Sequence, residues 1–198
     1  MSVDRAASRP RTASRPGAVD ERELINRVSG RDLAAFEKLY RIYQPRLTRF
    51  LSNLVQRPQL VEEVLDDTMM VGWETAQSFR GTSRLSTWIF SIAYRKAIKA
   101  RARWPDPVEE EPDLGQASRD PNPHQSLQHS RLRDALAAAM RSLSADHRAV
   151  VDLTYFHGLG YREIAEVMDC PVDTVKTRMF HARRRLRQAM PGSVSDWV

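Results

Sequence analysis

Between Trp104 and Leu127 the sequence stops supplying anything to bury. The stretch "WPDPVEEEPDLGQASRDPNPHQS" carries five prolines after Trp104 and almost no large apolar side chain. Such a composition marks a linker, because it can neither sustain a helix nor fill a core. On both sides of it, apolar residues recur at helical spacing. Leu33, Phe36, Leu39 and Tyr40 share one face, as do Leu47, Phe50, Leu51 and Leu54. Val61, Val64, Leu65, Thr68 and Met69 repeat the pattern, and so do Trp88, Ile89, Ile92 and Ala93. Pro45 and Pro58 punctuate this region, and Gly81 sits in a polar break at Arg80–Arg84. Beyond the linker the periodicity returns near Leu127 and runs to Met190, with Leu132, Leu136, Ala139, Met140 and Leu143 as its first stripe. No segment alternates as a strand does. The expected fold class is all-α: two small helical domains joined by a flexible acidic linker. The expected boundaries are a disordered tail over 1–20, a first domain over 21–104, the linker over 105–126, a second domain over 127–190 and a tail over 191–198.

Charge is distributed as unevenly as hydrophobicity. From Pro105 to Ser126, six acids (Asp106, Glu109, Glu110, Glu111, Asp113, Asp120) face Arg119 alone, a net −5; with the whole chain at +6, the remainder carries +11. Two acid-free basic clusters hold much of it: Arg95, Lys96, Lys99, Arg101 and Arg103, then Lys176, Arg178, Arg183, Arg184, Arg185 and Arg187. A polyanionic partner follows from that pattern, although each cluster alone is equally a solvated helix face. Cys170 is the single cysteine, which excludes an internal disulfide and a Cys-rich zinc site. No apolar run reaches the length needed to span a bilayer, so no membrane insertion and a cytoplasmic location are expected. The sequence offers no phosphate-cradling glycine loop, metal-ligand cluster or Ser/His/Asp spacing. Neither catalytic residue, metal nor cofactor is expected, and an enzyme is not the reading.

The stretch "YREIAEVMDCPVDTVKTRMFHARRRLRQ" begins as an acidic amphipathic helix and ends as a basic one, with only Asp169-Cys170-Pro171 between. Ile164, Ala165 and Met168 face inward on the first helix, and Pro171 suits the first turn of the second. Val175, Met179, Ala182 and Leu186 then form a stripe at spacings of four, three and four residues. The stripe leaves Thr174, Lys176, Thr177, Phe180, His181 and Arg184 outward. This is the pattern of a helix-turn-helix whose second helix enters a DNA major groove. Phe180 lies off the stripe, so either a thymine methyl covers it or it packs under the preceding helix. His181 either bonds a base or phosphate or is solvated. Asp173 suits the helix dipole but repels a nearby phosphate.

At this point two blocks carry a family resemblance. "LSADHRAVVDLTYFHGLGYREIAEVMDCPVDTVKTRMFHARRRLRQ" resembles the region-four domain of an extracytoplasmic-function (ECF) sigma factor. "DLAAFEKLYRIYQPRLTRFL" and "VLDDTMMVGWETAQSFRGTSRLSTWIFSIAYRKAIKARAR" resemble its region-two domain. The resemblance covers roughly Asp32 to Arg103 and Leu143 to Gln188, in the family's order. It implies an alternative sigma factor that binds RNA polymerase core, directs it to promoter DNA and helps open the duplex. The expected contacts are the clamp helices of the largest catalytic subunit and the flap of the second-largest, with an anti-sigma factor as a further partner.

Carried over by position, Asp66, Asp67, Met70 and Trp73 are the candidates for docking on core, with Trp73 equally assignable to the protein's own core. The break "FRGTSRLS" matches the loop that captures an unstacked base of the −10 strand. Arg80, Thr82, Ser83, Arg84 and Ser86 are its candidates, and Arg95, Lys96 and Lys99 hold the adjacent backbone. The −35 duplex would be read through Thr174, Lys176, Thr177, Arg178, Phe180, His181, Arg183 and Arg184. Of these, Lys176 suits guanine O6 and N7, and Arg178 and Arg183 suit phosphate. Three positions depart from the family's habit: Asp173 stands where a glycine is common, His181 where arginine is frequent, and Arg95 where asparagine is frequent. The acidic linker either occupies basic polymerase surface until a transcript displaces it or is a plain soluble spacer. Two rival readings remain: a stand-alone helix-turn-helix regulator with an N-terminal sensor or dimerising domain, and an RNA-binding or anti-termination factor.

Overall fold

The computed structural model describes residues 20–55, 57–104 and 134–189, all helices, turns and short connections with no strand among the described residues. The expected tails, the acidic linker and the start of the second domain at 127–133 lie outside the described residues. The chain forms α1 (Glu21–Ser29), α2 (Leu33–Leu54), α3 (Pro58–Thr75), a 3-10 turn (Ala76–Ser78), α4 (Leu85–Arg103), α5 (134–141), α6 (Ala145–Tyr155), α7 (Tyr161–Met168) and α8 (Val172–Ala189).

Local sequence fixes the helix starts. The Asp20 carboxylate accepts from the amides of Arg22 and Glu23 at the start of α1, and Asp32 accepts from Ala35 at the start of α2. Those bonds satisfy amides that have no partner inside the helix. The Ala35 amide, followed by the Arg27 side chain, holds the Asp32 carboxyl below its ordinary pKa. Ser144 caps α6 by accepting from the His147 amide. Pro58 opens α3 as its first residue, where a missing N–H costs nothing. Pro45 behaves differently from the expectation that it interrupts the region. It lies inside a continuous α2 of 22 residues, whose neighbours Tyr43 and Leu47 are wholly buried. Packing on both sides outweighs the one backbone bond that proline removes.

Helices α1 to α4 form a bundle around Tyr43, Phe50, Leu39, Leu47 and Phe90, and α6 to α8 a trihelical unit around Leu153, Ile164, Val175 and Met179. The sequence suggests two bodies held only by a tether, yet in the structure they pack face to face and a single hydrophobic cluster runs through both. The α2 and α4 faces that α1 and α3 leave open meet α6 and α7. Phe50 stands edge-on to Phe90 with ring centroids 5.2 Å apart, and His157 from the end of α6 lies 4.4 Å from the Phe90 ring. Periodicity within each helix has no way to disclose this contact, because the residues at it also belong to their own domain's core.

Candidate nucleic-acid interface

The turn between α7 and α8 is made by Asp169, held in the left-handed conformation with φ 50° and ψ 54°. Pro171 precedes α8 rather than occupying its first turn as the sequence suggests, and its carbonyl accepts from the amides of Thr174 and Val175. Val175, Met179 and Ala182 are buried, with Leu186 partly so. The opposite face of α8 then stands in solvent. Lys176, Thr177, His181, Arg183 and Arg184 are exposed, and Phe180 is 64% exposed. Packing of Phe180 beneath the preceding helix is thereby ruled out; the ring meets the edge of His181, 5.5 Å away. Thr174 is half-buried at the base of this face.

Four of the candidates have partners within the protein, the Thr177 hydroxyl donating to the Asp173 carbonyl at 2.9 Å. Lys176 Nζ donates to Asp173 Oδ1 at 2.9 Å, Arg183 donates to the Tyr155 hydroxyl, and Arg178 is turned away from the outer face. The Arg178 guanidinium pairs with Asp146 on α6 and reaches Cys170 Sγ at 3.6 Å. Its place on the helix aims it at the α6 start, where a carboxylate of the same domain pairs with it. Beside His181 the start of α6 and the end of α8 enclose a hollow of about 410 Å³ lined by Ser144, His147, His181, Arg184 and Arg185. Burial, and after it the neighbouring His181, keep the His147 imidazole below its ordinary pKa.

The second cluster lies on the first domain. Residues Phe79 to Arg84 form a non-helical loop between the 3-10 turn and α4, and Gly81 holds φ 69° there. A side chain at Gly81 would be strained in that conformation, and its Cβ would press to 3.3 Å from the Arg22 guanidinium. Arg80 and Thr82 are exposed and Ser83 is half-buried. The loop borders a cleft of about 830 Å³ lined by Arg22, Arg46, Ser83, Arg84, Ser86 and His157. Ser86 departs from expectation: it lies in the first turn of α4 and is buried, so its hydroxyl is part of the cleft wall rather than a surface group. Arg84 is engaged across the domain contact, its Nε 3.5 Å from Glu163 on α7. Trp88, half-buried, lies against Phe79 with centroids 5.4 Å apart. It props the loop from beneath.

Along α4, Arg95 and Lys99 are exposed, and Arg95 donates to Ser91 Oγ. Lys96 is paired at 2.9 Å with Asp67 of α3. The structure thus joins a candidate DNA contact directly to a candidate polymerase contact. On α3, Asp66 accepts from the Tyr40 hydroxyl at 3.1 Å, and burial followed by that carboxylate raises the phenol's pKa, keeping the phenol a donor. Met70 is 55% exposed on the same helix. Trp73 is half-buried, tilted on Phe36 at 5.0 Å with the Arg31 guanidinium over its ring. Its ring therefore serves the protein's own packing while one edge remains available.

Sequence reasoning missed the polar residues between the domains: Arg49, Asn53, Thr87, Tyr94, Asp146, Asp152 and Glu163. One signal was present. Asp152 interrupts the apolar run "AVVDL", and a lone acid on an apolar helix face implies a buried partner.

Comparison with known proteins agrees with this arrangement. Residues 39–104 match Sigma-70 region 2 and residues 133–186 match Sigma-70 region 4. The chain is 31% identical to the ECF RNA polymerase sigma-E factor of Haemophilus influenzae over 84% of its length and 93% of that protein's. It is 33% identical to the ECF RNA polymerase sigma-E factor of Escherichia coli K12, covering 82% of this chain and 90% of that one. Among solved structures, the sigma factor RpoE of Bartonella quintana, in complex with the anti-sigma factor NepR, aligns with a TM-score of 0.57 and 28% identity over 78% of this chain and 95% of that one. CnrH, solved with the cytosolic domain of CnrY, aligns with a TM-score of 0.60 over 84% of this chain and 94% of that one; at 21% identity it speaks for the fold alone. With both sigma regions matched in order and relatives spanned over nine tenths of their length, the chain belongs to the ECF sigma factors of the sigma-70 family.

Proposed function

We propose that this protein is an alternative sigma factor acting in the cytoplasm as an initiation factor rather than an enzyme. It binds RNA polymerase core and directs it to promoters whose −35 element is read by α8 and whose −10 strand is captured by the Phe79–Arg84 loop. The observation that carries this reading is the solvent-facing row Lys176, Thr177, Phe180 and His181 on a helix whose other side packs through buried Val175, Met179 and Ala182. A bulky aromatic left in water on such a face loses burial unless a partner covers it, and a duplex groove with thymine methyls does so. In the −10 cluster, the hydroxyl-bearing loop with exposed Arg80 and Thr82 and a basic flank on α4 suits single-stranded DNA. Asp66, Asp67 and Met70 place acids beside an exposed apolar group on α3, which suits a basic, partly apolar helix of core. The −5 linker keeps its two roles, spacer or occupant of RNA-binding surface. An anti-sigma factor is the regulator this family membership suggests, since the related RpoE was solved with one.

Specific promoter binding should require core: the pure protein binds duplex weakly and with strong salt dependence. Tight sequence-specific binding by the protein alone would favour the stand-alone regulator instead. Replacing Thr82 and Ser83 together by alanine should lower open-complex formation on duplex promoter by about tenfold, while a premelted bubble is used far better. The reason is that extracting a base costs a few kcal/mol only when the base is still stacked. Equal loss on both templates, measured by permanganate footprinting, would remove the loop from base capture. Asp67→Arg should weaken core binding by about tenfold or more, because it sets like charges face to face. Unchanged retention on immobilised core, with unchanged helicity, would take Asp67 out of the interface.

A further inference from the structure

The cleft beside the Phe79–Arg84 loop holds more hydrogen-bonding groups than the fold itself uses. Arginines line it from three segments: Arg22 on α1, Arg46 on α2 and Arg84 just before α4. Among the described residues, no carboxylate forms an ion pair with Arg22 or Arg46. The Arg46 guanidinium lies instead over the Tyr43 and Phe90 rings, 4.9 and 5.5 Å from their centroids. Arg84 keeps 70% of its side chain exposed beside its 3.5 Å contact with Glu163. Ser83 and Ser86 add hydroxyls to the lining, and no side chain caps α4, so its first amides are left as donors. His157 lines the cleft as well. Its Nε2 meets Oδ2 of the buried Asp152 at 2.9 Å, while its Nδ1 is buried without a hydrogen-bond partner.

Three guanidinium groups and two hydroxyls around an uncapped helix start suit a phosphate, which accepts from helix amides and from arginine forks. The rest of the cleft narrows the kind of phosphate. Its volume of about 830 Å³ exceeds what a lone ion fills and lies within the range of about 300–1,000 Å³ for small-molecule sites. Phe79 lines it, and an aromatic ring beside a basic surface is a platform on which a nucleobase stacks. Asp20 and Glu21 line it too, where Asp20 accepts from the Arg22 and Glu23 amides and Glu21 from the Tyr43 hydroxyl. Their charges repel a polyanionic strand laid through the cleft, whereas their remaining oxygens can accept from ribose hydroxyls or a base amino group. We propose that this cleft binds a free nucleotide, with its phosphates on the three arginines and the α4 start and its base against Phe79. The site itself is independent of the sigma-factor reading; its effect on transcription rests on that reading. Ser83 and Arg84 are candidate −10 contacts, so a bound nucleotide competes with the −10 strand and lowers open-complex formation.

The test is calorimetric titration of the full chain at physiological salt with ATP, GTP and inorganic pyrophosphate. At least one nucleotide should bind saturably, and about tenfold more tightly than pyrophosphate, the gain from stacking one base. Arg22→Ala, at an exposed position, and Arg46→Gln should each weaken that binding by about tenfold or more, the loss of a charge-assisted hydrogen bond. Arg41→Gln, exposed on α2 and paired with Glu37, should bind as the parent does. Helicity of each variant checks that it is folded, and Arg22→Ala empties no core. No saturable nucleotide binding would overturn the site, as would an equal loss in Arg41→Gln, which is the mark of unspecific charge attraction. Binding of a single-stranded −10 oligonucleotide without binding of either nucleotide would assign the cleft to DNA instead. With core and promoter, the bound nucleotide should lower permanganate-detected opening for the parent and not for Arg22→Ala; an equal response of both would overturn the competition. Failure to open promoters even without added nucleotide would count against the sigma-factor reading, while the calorimetry would still decide the site.

Discussion

Phe50→Ala is expected to destabilise the protein by about 3–5 kcal/mol, the range for truncating a fully buried aromatic. Phe50 has no exposed surface and touches both domains: its ring is edge-on to Phe90 at 5.2 Å and to His157 at 6.1 Å. The loss therefore opens a cavity where α2, α4 and the end of α6 converge. Against a typical stability of about 5–15 kcal/mol, that is a large share, and the two domains should lose it together. Urea unfolding followed by tryptophan fluorescence and by helicity should give one transition shifted to lower denaturant. A change below about 1 kcal/mol, or destabilisation of the first domain only, would contradict a core shared between the domains.

Lys176→Ala should lower −35-dependent initiation by about 5- to 150-fold, the equivalent of about 1–3 kcal/mol for a base contact, while binding to core stays as it was. The existing pair with Asp173 does not stand in the way. Both side chains are largely exposed, at 59% and 88%, and an exposed ion pair contributes about 0–1 kcal/mol. A guanine edge outbids that. Asp173→Gly should accordingly strengthen promoter binding, by releasing Lys176 and removing a carboxylate that repels the DNA backbone. Run-off assays on templates with intact and scrambled −35 elements check both. Equal output from Lys176→Ala and parent on the intact template would take α8 out of sequence reading.

Much of the fold is legible in the sequence because helices announce themselves through periodicity. The stripes through Leu47–Leu54, Val61–Met69 and Val175–Ala182 each describe one side of one helix, and each is buried as its spacing implies, with Leu186 partly buried at the end of the last. Pro45 misleads because a local rule about a missing donor is outweighed by tertiary packing. The pairing of Arg178 with Asp146 was not legible either, because a basic cluster reads as one surface while the helix turns this member toward α6. The domain contact is hardest to foresee. Asn53, Thr87 and Glu163 look like ordinary surface residues in their own helices, and only their separation of 99 and 76 positions from their partners reveals them. The exposed row on α8 is the most legible part of the candidate site, since amphipathicity defines what is left outside as firmly as what is packed within.

Transcription from purified components decides whether this protein starts RNA synthesis at promoters. Core RNA polymerase free of other sigma factors, combined with this protein and a library of genomic fragments, should produce transcripts with defined start points. The matching promoters should share two motifs at one fixed separation. RNA synthesis that starts at random, or identically with and without the protein, would mean that it is not a promoter-selecting initiation factor.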